Sequence, residues 1–378
     1  MRPERVLIVG FVPPPYPYDR LNDVKAIADA HPGGLVDLSI GTPCDPAPEL
    51  VRAALSDSGA EVSYPPSIGT VGFRTAAAEW LNRLVGTSIG ANDVRANIGS
   101  KEFVAGLPHW LKLRQPERDT VLYPSVSYPS YEMGATLAGC RAVAVPVAKD
   151  WTMDLSAIDE SDAERALCLW VNAPGNPAGA IDDLAAAAQW GRSRGVPVIS
   201  DECYVAFTWD QEPRSILQSG LEGVLAVHSL SKRSNLAGVR CGFYAGDAEL
   251  IHYLGELRKH AGFMQPGPGQ AAGVVAFGDE SHVEAQRQRY WARLELMQEL
   301  VAKLGADCPL PQGGFYLWVK APSGDAWEFT RTLAESAGLL VSPGEFYGTQ
   351  GAGYVRIAVV QPDEKIELAA KRLGLSFG

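Results

Sequence analysis

The feature of this sequence that most restricts its fold is a series of short apolar runs separated by segments with helical patterning. Segments such as YPSYEMGATLAG and DDLAAAAQWGRSRG lie between these runs. Short strands that are apolar throughout and alternate with helices are typical of a mostly parallel sheet covered on both faces. We therefore expect an α/β fold. The predicted strands are 119–124, 141–147, 166–172, 196–202, 224–229 and 238–246.

The chain changes character after residue 280. A long amphipathic segment, SHVEAQRQRYWARLELMQELVAKLG, leads to GFYLWVK, a helix starting at Asp325, then GLLVS, YVRIAVV and a final helix. This pattern predicts a smaller α+β domain beside the large one, which suits a chain of 378 residues. We predict three parts. They are an N-terminal arm with part of the small domain (1–45), a large domain (46–282) and a small C-terminal domain (283–378).

Composition and charge exclude several classes of partner. The formal net charge is −11, whereas nucleic acids and anionic membranes require basic patches. The apolar run near the N-terminus is short and ends before several prolines, so we expect no signal peptide, no membrane span and a cytoplasmic protein. The six cysteines contain no CxxC pair and the six histidines no HxxxH or HExxH spacing, so we predict no metal site.

Polar side chains follow several of the predicted strands. Asn176 comes shortly after the strand 166–172, Asp201 and Tyr204 lie at the end of the next one, and Ser229 and Lys232 end a third. The carboxyl ends of parallel strands meet at one edge of a sheet, where ligands bind in α/β proteins. The sequence thus predicts that these five side chains share one site.

Taken singly, most of these residues also have an ordinary structural explanation. Asn176 fits a turn, Asp201 a helix cap, Ser229 a turn hydroxyl and Tyr204 a half-buried aromatic side chain. Lys232 is harder to explain in this way, because a lysine in a crowded turn at the end of a strand is costly unless it is paired or used.

Together the residues suggest one chemistry. A neutral lysine amine forms Schiff bases, and neighbouring cations such as Arg233 and Arg240 help lower its pKa. An acid such as Asp201 can hold a protonated ring nitrogen, while hydroxyls, Arg240 and the Gly-Ser turn of NIGSKEF (97–103) can hold a phosphate. Pyridoxal phosphate meets all three requirements, so we predict it as the cofactor and Lys232 as its nucleophile.

Ten motifs in order resemble those of the class I/II aminotransferases of pyridoxal-phosphate fold type I, over nearly the full length of the chain. That resemblance implies a large, mostly parallel seven-stranded α/β/α domain with a smaller α+β domain, a homodimer, and amino transfer between an amino acid and a 2-oxo acid. The motifs are SIGTP, YPPSIGTVGFR, GSKE, PSVSYPSY, NAPGNPAG, SDECY, SLSKRSNLAGVRCGF, GGFYLW, SPGEFYG and VRIAVV.

The same resemblance implies a role for each matching residue around the cofactor ring. Lys232 would carry the cofactor as a Schiff base and move a proton from the substrate. Asp201 would pair with the pyridine nitrogen, and Asn176 and Tyr204 would bind the 3′-oxygen. Tyr128 would stack on the ring.

Further residues are implied for the phosphate and the substrate. Tyr64 would reach across a dimer interface to the phosphate of the neighbouring subunit. Arg356, with the Gly41 backbone and Asn176, would bind the substrate α-carboxylate. The phosphate would be held within one subunit by Ser100, Lys101, Ser229 and Arg240.

Several alternatives stay open at this point. A pyridoxal-phosphate-binding transcription regulator would need a helix-turn-helix segment before the fold, and the Pro-rich leader lacks one. A C–S lyase or decarboxylase would share Lys232 and Asp201. For the substrate, the motifs most resemble actinobacterial-type succinyldiaminopimelate transaminases of lysine biosynthesis, and the runner-up is a broad aspartate, alanine or aromatic aminotransferase. The leader FVPPPYPYDRL (11–21) would pack either on a partner subunit or on its own small domain.

Overall fold

A computed structural model describes residues 10–375, so the apolar run at residues 6–9 and the last three residues lie outside the described part. Within 10–375 there are thirteen α-helices and twelve β-strands. The helices are α1 Asn22–Asp29, α2 Glu49–Ser56, α3 Val71–Val85, α4 Ser100–Arg114, α5 Ser130–Leu137, α6 Glu160–Glu164, α7 Leu184–Arg194, α8 Leu230–Arg233, α9 Ala248–His260, α10 Gly267–Gly278, α11 Ser281–Lys303, α12 Ala326–Ala337 and α13 Asp363–Arg372. The strands are β1 Val36–Asp37, β2 Val94–Asn97, β3 Thr120–Pro124, β4 Arg141–Val145, β5 Ala166–Asn172, β6 Val198–Asp201, β7 Val224–Ser229, β8 Gly242–Gly246, β9 Tyr316–Lys320, β10 Leu339–Leu340, β11 Ser342–Pro343 and β12 Tyr354–Ala358.

The large sheet has seven strands in the order β2-β8-β7-β6-β5-β3-β4. The five strands from β7 to β4 are parallel, and β8 runs antiparallel to both of its neighbours. This confirms the predicted α/β class with a mostly parallel sheet. Each of the six predicted strands is present, whereas β2 was not among them.

The prediction for the last of these strands, 238–246, was wrong at its start. β8 begins only at Gly242, because residues 237–239 form a 3-10 turn and Arg240 has a left-handed backbone with φ of 57°. That conformation interrupts a strand. The setting of Lys232 also differs from the expectation, because it lies in the one-turn helix α8 rather than in a plain turn.

Both faces of the large sheet are covered, as expected for parallel strands with crossover helices. Along β5, side chains alternate between two separate apolar cores. Leu169 and Val171 belong to the core that contains residues of α3, α7 and α10. Cys168 and Trp170 belong to the core that contains residues of α4, α5 and α9. The strand reads as apolar throughout because neither face meets water.

The smaller unit contains the antiparallel sheet β11-β12-β9, and its core is built from α11, α12, α13 and these strands. Val36 and Leu38 belong to the same core, which supports our proposal that residues 1–45 contribute to the small domain. The proposed boundary between residues 282 and 283 falls in the first turn of α11.

The N-terminal leader contacts the small domain of its own chain from residue 17 onward. A 3-10 helix, Pro17–Leu21, precedes α1, and Leu21 and Val24 pack in one cluster with Phe346 and Tyr347. This is the second of the two arrangements that we considered for the leader. Among residues 10–375, every helix is too short or too polar to span a lipid bilayer.

Candidate active site

Lys232 lies at the carboxyl end of the large sheet, on the helix that follows β7 directly. Its ammonium group donates a hydrogen bond to the backbone carbonyl of Gly41. Burial lowers the pKa of Lys232 to about 8, and the cations Arg356 and Arg240 act in the same direction. The amine is therefore partly neutral near physiological pH, as a nucleophile must be.

Asp201 ends β6, the strand next to β7, and is buried. The Tyr131 hydroxyl donates to its Oδ2 at 3.1 Å, and the Cys203 amide donates to its Oδ1 at 3.3 Å. Burial raises the pKa of Asp201 against the effect of these hydrogen bonds. A cation placed beside this carboxylate would offset its desolvation, which suits a protonated ring nitrogen.

A second group of residues forms an anion cradle at the N-terminus of α4. The fifteen-residue helix begins at Ser100, and Gly99 before it has a φ of 79°. A side chain at Gly99 would collide with the Arg240 guanidinium, so the absence of a Cβ lets the guanidinium lie against the first turn. Ser229 ends β7, which lies two strands from β2 in the sheet. Its hydroxyl caps α8 by accepting a hydrogen bond from the Ser231 amide at 3.1 Å. Free helix amides, hydroxyls and a guanidinium are the donors that a phosphate needs.

Arg356 projects from β12 of the small domain and is buried. It donates to Asn176 Oδ1 at 2.9 Å and to the Ser39 carbonyl at 2.6 Å. Its Nε has no hydrogen-bond partner in the described part of the chain. A buried guanidinium with an unused donor can take a carboxylate, for which its planar fork is suited.

The remaining residues that the sequence predicted for the cofactor each lie against a tyrosine. The hydroxyl of Tyr204 bonds to that of Tyr316 at 2.8 Å. Tyr128 is half-buried, with its ring 6.0 Å from that of Tyr131. Lys101 is exposed, and its ammonium lies 5.8 Å from the Tyr128 ring centroid.

Tyr64 lies apart from these residues. Its side chain is 94 % exposed, and among residues 10–375 it makes neither a side-chain hydrogen bond nor a ring contact. Within a single chain the structure therefore does not bring Tyr64 into the site.

Sequence reasoning missed two tyrosines that contact the predicted residues. Tyr131 supplies a hydrogen bond to Asp201, and Tyr316 bonds to Tyr204. Both lie inside motifs that were recognised, SYPSY and GGFYLW. Their positions within those motifs did not reveal which way each ring points, because that depends on the packing of α5 and β9.

Comparison with known proteins decides the family. The profile of the family described as aminotransferase class I and II matches residues 34–373. This chain belongs to that family. The aminotransferase is 41 % identical over 369 residues to the 4-dedimethylamino-4-oxo-anhydrotetracycline transaminase OxyQ of Streptomyces rimosus, with 95 % of this chain and 99 % of the relative covered. It is 34 % identical to the LL-diaminopimelate aminotransferase of Aquifex aeolicus, with 95 % and 96 % covered.

Solved structures agree with the fold of this aminotransferase. A probable N-succinyldiaminopimelate aminotransferase from Thermus thermophilus superimposes with a TM-score of 0.84 at 33 % identity, covering 95 % of this chain and 99 % of that one. The predicted resemblance to fold type I is thereby confirmed.

Class I/II aminotransferases depend on pyridoxal phosphate, and the residues of this aminotransferase fit that cofactor. The Arg240 guanidinium beside Gly99 and the first turn of α4 fits the phosphate, the buried carboxylate of Asp201 fits the ring nitrogen, and the amine of Lys232 fits the aldehyde. When bound, the cofactor supplies an electron sink for the electrons of the substrate α-carbon.

Proposed function

We propose that this aminotransferase exchanges an amino group between N-succinyl-LL-2,6-diaminopimelate and 2-oxoglutarate. The observation that carries the substrate assignment is the repeated appearance of diaminopimelate in the names of similar proteins. It occurs in the Aquifex relative and, as the N-succinyl derivative, in the Thermus structure. Their similarity extends over nearly the whole chain.

We propose for each side chain the role that the family resemblance implies, and the contacts of Lys232 and Asp201 support theirs. Lys232 Nζ takes the proton from the substrate α-carbon, which its lowered pKa favours. Asp201 keeps a proton on the ring nitrogen, and Tyr131 orients its carboxylate. Tyr204 and Asn176 hold the ring oxygen, and Tyr128 covers the ring.

The α-carboxylate of the substrate and the phosphate of the cofactor are assigned to two separate cationic sites. Arg356 binds the substrate α-carboxylate through donors that its bonds to Asn176 and Ser39 leave free, with the Gly41 backbone beside it. The phosphate is assigned to Ser100, Lys101, Ser229 and Arg240.

The substrate assignment is tested with the purified holoenzyme and a panel of amino donors at fixed 2-oxoglutarate. N-succinyl-LL-2,6-diaminopimelate, LL-diaminopimelate, aspartate, alanine and phenylalanine are compared by glutamate formation. We expect kcat/KM for the N-succinyl compound to exceed the others by at least about tenfold, or about 1.4 kcal/mol. Equal or higher values for aspartate, alanine or phenylalanine would favour the broad-specificity alternative.

The relative OxyQ adds a further comparison, because its name gives an oxo-anhydrotetracycline rather than an amino acid as the substrate. A polycyclic ketone is therefore included as an amino acceptor. A C–S lyase would be recognised by ammonia and pyruvate released from a sulfur amino acid without any 2-oxo acid acceptor.

We further propose a homodimer in which Tyr64 completes the phosphate site of the neighbouring subunit. The support is an exposed apolar patch on α2, α3, α10 and the loop between α2 and α3. It consists of Leu50, Val62, Tyr64, Val71 and Val274. The loop is fixed on α10, since the Thr70 amide donates to Gln270 at 2.6 Å. Helices α2 and α3 both pack on α10, and a concentration of exposed apolar side chains on neighbouring elements is typical of an interface.

A further inference from the structure

The guanidinium of Arg356 is enclosed by two phenol rings. Its Cζ lies 4.4 Å from the ring centroid of Tyr316 and 4.7 Å from that of Tyr347. Both tyrosines are buried. Two rings this close to a flat guanidinium restrict its orientation, so the direction of its donors depends on where these two rings lie.

The two rings are held in different ways. Tyr316 belongs to β9, which pairs with the strand that carries Arg356, and its hydroxyl bonds to Tyr204. Tyr347 ends the 3-10 helix Gly344–Tyr347 and lies outside the sheet. Its hydroxyl bonds to that of Tyr18 at 3.0 Å.

Tyr18 belongs to the 3-10 helix Pro17–Leu21 of the leader, which is fixed to the same part of the small domain. Its ring packs edge-on against Phe346, with centroids 5.5 Å apart. Arg20 pairs with Glu345 at 2.7 Å, and Leu21 is buried in the cluster that contains Phe346 and Tyr347. The leader therefore presents the Tyr18 hydroxyl to Tyr347 from a defined position.

We propose that Tyr18 is a positioning residue for the carboxylate site: its hydroxyl orients the Tyr347 ring, which in turn orients Arg356. The inference rests on the proposed role of Arg356. The two hydroxyls of the pair are not equivalent, because Tyr347 is buried and Tyr18 is half-buried. Removing the Tyr18 hydroxyl takes a hydrogen-bond partner from the buried hydroxyl of Tyr347. When the Tyr347 hydroxyl is removed instead, the half-buried hydroxyl of Tyr18 can bond to water.

The experiment uses the holoenzyme and succinate, a dicarboxylate with neither an amino nor an oxo group, as a binding probe in calorimetry. We expect Tyr18→Phe to weaken succinate binding and to raise the KM of both substrates by roughly five- to tenfold, with kcat within about twofold. The double variant Tyr18→Phe with Tyr347→Phe should bind succinate no more weakly than the weaker-binding of the two single variants, because the two hydroxyls act as one unit.

Tyr253→Phe is the matched control. It also removes a tyrosine hydroxyl bond, to the Trp110 carbonyl at 2.9 Å, but on α9 away from Arg356, and it should leave succinate binding unchanged. Unchanged binding in Tyr18→Phe, additive losses in the double variant, or a fall in kcat at constant KM would each overturn the proposal.

A separate variant distinguishes this proposal from the role of Arg356 on which it rests. Arg356→Lys should weaken succinate binding more than Tyr18→Phe does, because lysine lacks the planar fork. If Arg356→Lys binds succinate as well as the wild type does, the carboxylate assignment itself is wrong. If Arg356→Lys loses binding and Tyr18→Phe does not, only the role of Tyr18 is wrong.

Discussion

At the scale of single residues, the chemistry of the site depends on how the fold treats two ionisable groups. Desolvation of the Lys232 amine, helped by the cations Arg356 and Arg240, lowers its pKa, whereas burial raises the pKa of Asp201. An amine with a lowered pKa and a carboxyl with a raised one are typical of catalytic sites. Neither shift requires an unusual residue, since both follow from the position of the side chains at the ends of adjacent strands.

The pH dependence of Lys232 can be measured in the apoprotein. An amine reacts only in its neutral form, and with a pKa of about 8 its reactivity should rise about tenfold per pH unit up to pH 8 and level off above pH 9. Competitive labelling with trace acetic anhydride followed by peptide mapping gives this profile, with N-acetyl-lysine amide in the same tube as the reference. A profile for Lys232 that follows the reference up to pH 10 would contradict the lowered pKa.

Attachment of the cofactor provides a second prediction at this scale. Borohydride reduction of the holoenzyme, followed by peptide mapping, should find the pyridoxyl group on Lys232. Lys232→Ala should keep the fold, as judged by circular dichroism, and lose roughly 10²- to 10⁴-fold or more in turnover because its proton-transfer group is gone. Recovery of the label on another lysine would show that the assignment is wrong.

At the scale of elements, the anion cradle at the start of α4 depends on Gly99, because the absence of a side chain there lets the Arg240 guanidinium lie against the first turn of the helix. Gly99→Ala should weaken binding of pyridoxal phosphate by roughly tenfold or more, because the new methyl group displaces the Arg240 guanidinium. Gly86→Ala is the matched control. Gly86 also has a positive φ, of 70°, but a Cβ there meets no atom within 4 Å. Gly86→Ala should lose about 1–2 kcal/mol of stability. Gly99→Ala should lose more, because its φ of 79° and ψ of 146° are almost confined to glycine and the methyl group collides. Equilibrium dialysis should detect weaker cofactor binding for Gly99→Ala alone.

A buried ion pair connects the segment after Gly41 to the helices of the small domain. Arg293 of α11 donates to both oxygens of Asp45, at 2.7 and 2.9 Å, and to Asp363 of α13 at 2.6 Å. Asp45→Asn should cost about 3–5 kcal/mol, because it leaves a buried guanidinium poorly compensated. Asp363→Asn should cost about 1 kcal/mol or less, since that side chain is 44 % exposed. Denaturant unfolding of the two variants tests the difference, and equal losses would contradict it.

At the scale of the whole molecule, the exposed apolar patch predicts how the chain assembles. A charge at Val71, which is 66 % exposed on α3, should disrupt a dimer formed through that patch, because a charge buried without a partner is costly. Val71→Asp should therefore sediment as a monomer. Leu137→Asp provides the control, since Leu137 is 57 % exposed on α5, outside the patch. A wild type that sediments as an active monomer would exclude the dimer.

Sharing of Tyr64 between subunits is tested by complementation. Inactive Lys232→Ala is mixed with an impaired Tyr64→Ala variant and the subunits are allowed to exchange. If each site takes its Tyr64 from the neighbour, some heterodimers contain one intact site, and activity should rise after mixing. Dimers that exchange subunits without any rise in activity would show that Tyr64 has no role across the interface.

The sequence by itself determined the fold class and the polar residues that mark the edge of the sheet. Strands buried on both faces are apolar throughout, as β5 is, and this pattern is visible in the order of the residues alone. The positions of Asp201 and Lys232 at strand ends follow directly from it, because parallel strands bring their carboxyl ends to one edge.

Only the tertiary structure decided which side chains meet at that edge and in what orientation. The hydrogen bonds from Tyr131 to Asp201, between Tyr204 and Tyr316, and between Tyr18 and Tyr347 join residues 70, 112 and 329 positions apart in the chain. No local pattern encodes such pairs, because each depends on how helices and strands pack and on which rotamer the packing leaves free. For the same reason, the left-handed backbone of Arg240, which delays the start of β8, could not be predicted from its neighbours.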